Sequence, residues 1–204
     1  GLDLPALQAA LSARTRLLVY TSPSNPLGWV ARPTEQAVLL DFCRRHGLWL
    51  LADEVYERIY LAGPVAPSLL RLCTRDDAVI VVQSFSKSYC MTGWRLGWVV
   101  SRRDLVHKTA QLNEFIVSHA PSMVQRTGET ALRDGEEFVR KMAQDLKCRV
   151  WSCFDSLKGI RGVSVAPPEG SFYLFPRIDG LADSYAFALK LLREEKVAVA
   201  PGSA

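Results

Sequence analysis

The sequence predicts an α/β fold: a large domain built on a mostly parallel sheet with flanking helices, followed by part of a smaller α+β unit. Three observations lead there. Residues 16–20, 48–52, 78–82 and 96–100 are short apolar runs. A helical pattern lies between the first two, giving strand, helix, strand, the repeating unit of a parallel sheet. Each of the first three runs leads straight into a polar loop, which is where open parallel sheets carry their ligands.

The four runs are β-branched, aromatic or Leu-rich and too short for core helices, so they read as buried parallel-type strands. Pro33 and Thr34 open the intervening helix, and Val38, Leu39, Phe42 and Cys43 give its apolar face. Arg44-Arg45-His46-Gly47 closes it, with cations in the last turn and then glycine. Residues 121–158 repeat apolar side chains at helical spacing with charges between. Strand-like segments at 163–166 and 172–175 follow, separated by Pro167-Pro168-Glu169-Gly170. A helix over 184–195 and a strand over 197–200 complete the pattern. We expect residues 1–120 to form part of a large domain, 121–158 a linking helical region and 159–204 part of a small C-terminal domain.

Composition narrows the function. The 204 residues are 49% hydrophobic, enough for a sizeable core. Lys and Arg exceed Asp and Glu by only 25 to 21 and are scattered, which argues against a nucleic-acid partner. No run is long and apolar enough for a membrane span. The five cysteines form no CxxC pair and lie at no metal-ligand spacing from a histidine, so no metal is expected. They read as free thiols of a reducing compartment, which points to the cytoplasm. Both ends of the sequence read as cut rather than finished.

The polar loops carry the chemistry. The first holds Thr21-Ser-Pro-Ser-Asn25-Pro-Leu-Gly28, the second Asp53-Glu-Val-Tyr56 and the third Gln83-Ser84-Phe-Ser86-Lys87. At the carboxyl ends of parallel strands, Asn25, Asp53, Tyr56, Ser84 and Lys87 can converge on one pocket. Singly, each has an ordinary explanation. Asn25 precedes a proline and suits a turn; Asp53 suits a helix cap; Lys87 is one of seven lysines. Ser84 and Ser86 can serve as caps, and Arg95 can pair with a carboxylate.

Together these segments resemble the class I/II pyridoxal-phosphate (PLP) aminotransferases, the aspartate aminotransferase superfamily of fold type I. Asn25-Pro-Leu-Gly, Asp53-Glu-Val-Tyr56 and Ser84-Phe-Ser-Lys87-Ser-Tyr-Cys-Met-Thr-Gly-Trp-Arg95-Leu-Gly occur in the family's order. The last looks like its PLP-attachment signature. Pro168-Glu-Gly-Ser-Phe-Tyr-Leu-Phe175 resembles the start of its small domain, and Ala198-Val-Ala-Pro-Gly202 a later strand and turn. Leu27 stands where many members have Thr, and Cys90 where a small residue is usual.

The resemblance implies that PLP is the cofactor and that Lys87 holds it as a Schiff base, then moves the proton at the substrate's α-carbon. It assigns Asp53 to the pyridine nitrogen, Tyr56 and Asn25 to the ring's phenolic oxygen, and Arg95, Ser84 and Ser86 to the phosphate. Arginine's planar, permanently charged fork suits phosphate oxygens. The implied reaction transfers an amino group between an L-amino acid and a 2-oxo acid, in a homodimer. Full-length relatives carry more chain on both sides, so the 204-residue piece alone is expected to be nearly inactive. Two rival readings keep the motifs: a carbon–sulfur β-lyase or cyclopropane-forming synthase, and the ligand-sensing domain of a transcription regulator.

Overall fold

A computed structural model describes residues 2–203. The chain begins with helix α1 (Leu4–Ala9), strand β1 (Leu17–Thr21), helix α2 (Pro33–His46) and strand β2 (Trp49–Asp53). Strand β3 (Val79–Ser84), the single turn α3 (Phe85–Ser88) and strand β4 (Gly97–Ser101) follow. Helices α4 (Arg103–Ile116), α5 (Ser122–Asp134) and α6 (Glu136–Leu157) lead to strands β5 (Val163–Ser164) and β6 (Arg177–Ile178) and helix α7 (Ser184–Glu194). No helix among the described residues is long and apolar enough to cross a membrane.

The main sheet has the order β1-β2-β3-β4. The first three strands are parallel, and Thr21 pairs with Asp53, which pairs with Val82. Side chains alternate across the sheet, so one face carries Tyr20, Leu50, Ala52, Val79 and Val81 into the core. There they meet Leu39, Leu40, Phe42 and Cys43 of α2, the face its spacing predicts. Leu2, Leu4, Leu7 and Leu11 close the edge of that core. Gly47 ends α2 in the left-handed region at φ 64°, as the cation-then-glycine signal predicts.

The fourth strand departs from expectation: β4 runs antiparallel to β3, and its middle residues Val99 and Val100 are exposed. Apolar content reads as burial but carries no direction. The direction is set by the connection, residues 85–96, which holds only short turns and no crossover helix to carry the chain back to the other end of the sheet.

Residues 121–158 are helical as expected, in two helices broken at Gly135. Helix α7 matches its predicted span to one residue and is capped by the Asp183 carboxylate on the Ala186 N–H at 2.9 Å. Residues 172–175 and 197–200 are not strands. The aromatic residues of the first segment pack on Tyr56 instead of pairing in a sheet. Helices α1 and α4 were not anticipated; α4 has no buried residue, so no core contact selects its face.

Beneath the carboxyl ends of the strands lies a buried acid. Glu54 follows β2 directly, is fully buried, and accepts from the Leu69 N–H at 2.8 Å. Gln83 Nε2 lies 3.5 Å from its other oxygen. Burial raises its pKa to about 7, offset only in part by the Ser68 hydroxyl and the Leu69 N–H. Burial raises Glu57 as well.

Two stability predictions follow from this packing. An unfolded glutamate loses its proton near pH ~4.3, whereas folded Glu54 keeps it to about 7. The folded state therefore binds more protons in that window, and the stability gained below it is lost as pH rises through about 7. Urea midpoints should fall from about pH 5 to about pH 8, and less steeply in Glu54→Gln; equal slopes would refute the assignment. Separately, a Cβ on Gly97 would lie 2.5 Å from the Gln83 carbonyl oxygen across the β3–β4 pair, whereas one on Gly93 meets nothing within 4 Å. Gly97→Ala should cost about 1–3 kcal/mol in urea denaturation, with Gly93→Ala far milder.

Candidate active site

The first loop is shaped from within by its own backbone and side chains. The fully buried Ser22 accepts the Ala31 N–H on its hydroxyl at 2.9 Å, and the Ser24 and Gly28 amides close a turn through the Trp29 and Ser24 carbonyls. That turn presents Asn25, whose Nδ2 reaches the Tyr56 hydroxyl at 3.5 Å. Tyr56 comes from the loop after β2 and is buried. Its hydroxyl also lies 3.0 Å from that of Tyr173. Burial raises the Tyr56 pKa well above its ordinary value, so the phenol keeps its proton at neutral pH.

Lys87 approaches the same ring from the third loop, with Nζ 5.7 Å from the Tyr56 centroid. Its turn starts where the Ser84 hydroxyl accepts the Ser86 N–H at 3.0 Å. The Ser84 hydroxyl also donates to the Leu96 carbonyl at 3.4 Å, and the Phe85 N–H reaches the same carbonyl at 3.1 Å. Thr92 donates to the Ser86 carbonyl at 3.0 Å, and Arg95 Nη1 to the Thr92 carbonyl at 2.7 Å. These bonds fold the segment from Ser84 to Leu96 back on itself and tie Arg95, through Thr92, to the backbone of Ser86. Cys90 and Arg95 both take the left-handed conformation, at φ 54° and 52°, which makes that fold tight.

Asn25 thus reaches the Tyr56 hydroxyl and Lys87 lies over the Tyr56 ring, while Ser84, Ser86 and Arg95 share the folded segment that carries Lys87. Asp53 is the last residue of β2, beside Thr21, and its carboxylate accepts the Val55 N–H at 3.2 Å. It shares the loop of Tyr56 but makes no direct bond to Lys87 or Arg95 among the described residues. Two neighbours had no role assigned from sequence. Thr92 lies inside the lysine segment, and Tyr173 inside the Gly170-Ser-Phe-Tyr segment, where nothing in the local pattern says that a distant loop will bring it to Tyr56.

The chemistry of this set can be stated without a ligand. No carboxylate forms an ion pair with Lys87 or Arg95 among the described residues. A guanidinium free of any carboxylate partner among the described residues, on the same folded segment as two serines, suits a phosphate. A primary amine facing a phenol–amide pair, with a carboxylate at the neighbouring strand end, suits an aldehyde-bearing heteroaromatic ring with a phenolic oxygen and a basic nitrogen. PLP has those parts, so the residues present fit it.

The family model for aminotransferase class I and II matches residues 1–204. The chain is 32% identical to an aspartate aminotransferase of Bacillus subtilis over 97% of its own length and 52% of that protein's. It is 33% identical to a probable aspartate/prephenate aminotransferase of Aquifex aeolicus over 100% of its length and 53% of that protein's. Its fold superposes on the crystal structure of an aspartate aminotransferase from Thermotoga maritima with a TM-score of 0.90 at 30% identity, covering 98% of this chain and 52% of that one. The chain spans about half the length of the relatives it matches. On the match over its whole sequence and the shared fold, the chain belongs to the class I and II aminotransferase family.

Proposed function

We propose that this protein is a PLP-dependent aminotransferase that moves an amino group between an L-amino acid and a 2-oxo acid. The single observation that carries the proposal is the Lys87 amine, which pairs with no carboxylate among the described residues and lies over the ring of Tyr56. PLP, when bound, supplies an electron sink for negative charge at the substrate's α-carbon. The chain supplies attachment, orientation and proton transfer.

Lys87 Nζ would hold the cofactor, and its amine would be the base at the substrate's α-carbon. Asp53 would pair with the ring nitrogen and favour its protonated form, which would give a carboxylate at a strand end a partner. Tyr56 and Asn25 bond the ring's phenolic oxygen, and Tyr56 retains the proton it needs to donate. Arg95, Ser84 and Ser86 hold the phosphate. Residues 1–120 belong to the cofactor-binding domain, 121–158 link it to the small domain, and 159–204 form part of that small domain. The whole protein acts as a homodimer in the cytoplasm, and the 204 residues alone have little turnover.

The proposal is tested by adding PLP to the intact protein and to its Lys87→Ala variant. The unsubstituted protein should gain a visible absorbance band that survives gel filtration, and amino transfer from an amino-acid panel to 2-oxo acids. The variant should lose the band and at least about 10²-fold in turnover, the lower end of what one general base contributes. An unchanged band and rate in the variant would refute the role of Lys87.

A further inference from the structure

Tyr173 reaches the site from a segment far along the chain, and that segment is fastened to both loops that carry Asn25 and Tyr56. The Glu169 and Gly170 amides donate to the Gly28 carbonyl at 3.1 and 3.0 Å. The Ser171 amide donates to the Ile59 carbonyl at 2.8 Å, and the Leu61 amide to the Glu169 carbonyl at 3.0 Å. The Ser171 hydroxyl reaches the Ser24 carbonyl at 3.1 Å. A Cβ on Gly170 would stand 2.7 Å from Pro23 Cβ and 2.9 Å from Val30 Cγ2, so the segment passes where only glycine fits. Beyond that anchor the rings of Phe172 and Tyr173 stand edge-on to Tyr56, at 5.7 and 5.8 Å between centroids.

The consequence lies in the hydroxyl pair. Tyr56 has one proton to donate, and its oxygen has two neighbours: Asn25 Nδ2, a donor, at 3.5 Å and the Tyr173 hydroxyl at 3.0 Å. If Tyr56 gave its proton to Tyr173, nothing would remain for a bound ring oxygen. If Tyr173 donates instead, Tyr56 accepts from both neighbours and its proton is free to point into the site. A phenol that accepts a hydrogen bond is also a stronger donor, because the two bonds polarise one another.

Building on the PLP reading above, we propose that Tyr173 is a positioning residue of this site: its hydroxyl donates to Tyr56 and aims the Tyr56 proton at the cofactor's phenolic oxygen. The charged and titratable groups facing Tyr56 are Asp53 on its own loop, Lys87 from the turn after β3, and Tyr173 itself. Of these, only Tyr173 can be changed by a single oxygen without touching the anchoring amine or the strand-end carboxylate.

The test is a pH titration of the visible band of the PLP-loaded intact protein, with Tyr173→Phe, Tyr56→Phe and the double variant. Weakening the Tyr56 donor leaves the ring oxygen more basic, so the band's midpoint in Tyr173→Phe should rise by about half to one pH unit, the size of one neutral hydrogen bond. Tyr56→Phe should rise at least as much, and the double variant no further, since Tyr173 acts only through Tyr56. A structural role alone would change stability and leave the midpoint in place. An unmoved midpoint in Tyr173→Phe, or additive shifts in the double variant, overturns the proposal. Should Tyr173→Phe fail to fold, the same titration on Tyr173→His, which keeps a ring donor, decides it: the midpoint should stay near that of the unsubstituted protein, and a shift as large as that of Tyr56→Phe overturns the proposal. A protein that gains no band at all before substitution overturns the PLP reading itself, a different result from a band that does not shift.

Discussion

The parallel pairing of β1, β2 and β3 is the constraint on which the site depends. The register sets Thr21 beside Asp53 and Asp53 beside Val82, so all three strands stop at the same end of the sheet. Their loops then open side by side, although their residues lie tens of positions apart in sequence. A slip of one residue in β2 would turn Asp53 to the face now held by Ala52 and the core. The alternation that packs Leu50 and Ala52 on α2 is therefore the same alternation that keeps Asp53 out of the core.

That much was legible in the sequence. The runs that became β1, β2 and β3 carry their burial in their composition, and α2 is marked at both ends by proline and by cations followed by Gly47. Asn25, Tyr56 and Lys87 could be placed together because open sheets gather their loops at one end. What could not be read was anything decided by a distant contact. The direction of β4 depends on a connection too short to return the chain, and its apolar residues say nothing of that. Residues 172–175 alternate well enough for a strand, but their rings are taken up by Tyr56. The link from Tyr173 to Tyr56 spans a separation for which the local pattern offers no sign.

Two buried polar devices hold the loops behind the site. On the core side, Glu54 ties the end of β2 to Leu69 and faces Gln83 near the end of β3. On the open side, the segment from Glu169 to Ser171 clasps the loops of Asn25 and Tyr56 through backbone bonds. Rigid support of this kind holds the loops of a phenol and an amide in place before any ligand arrives, which lowers the cost of ordering them on binding.

The central claim is that one amine among seven, that of Lys87, is the group built to hold the cofactor. Borohydride reduction after incubation with PLP, followed by mass-spectrometric mapping of the modified peptide, tests it most directly. The account predicts a pyridoxyl label on Lys87 alone. A label spread over Lys108, Lys141 and the other exposed lysines, or found on any of them in preference to Lys87, would contradict it.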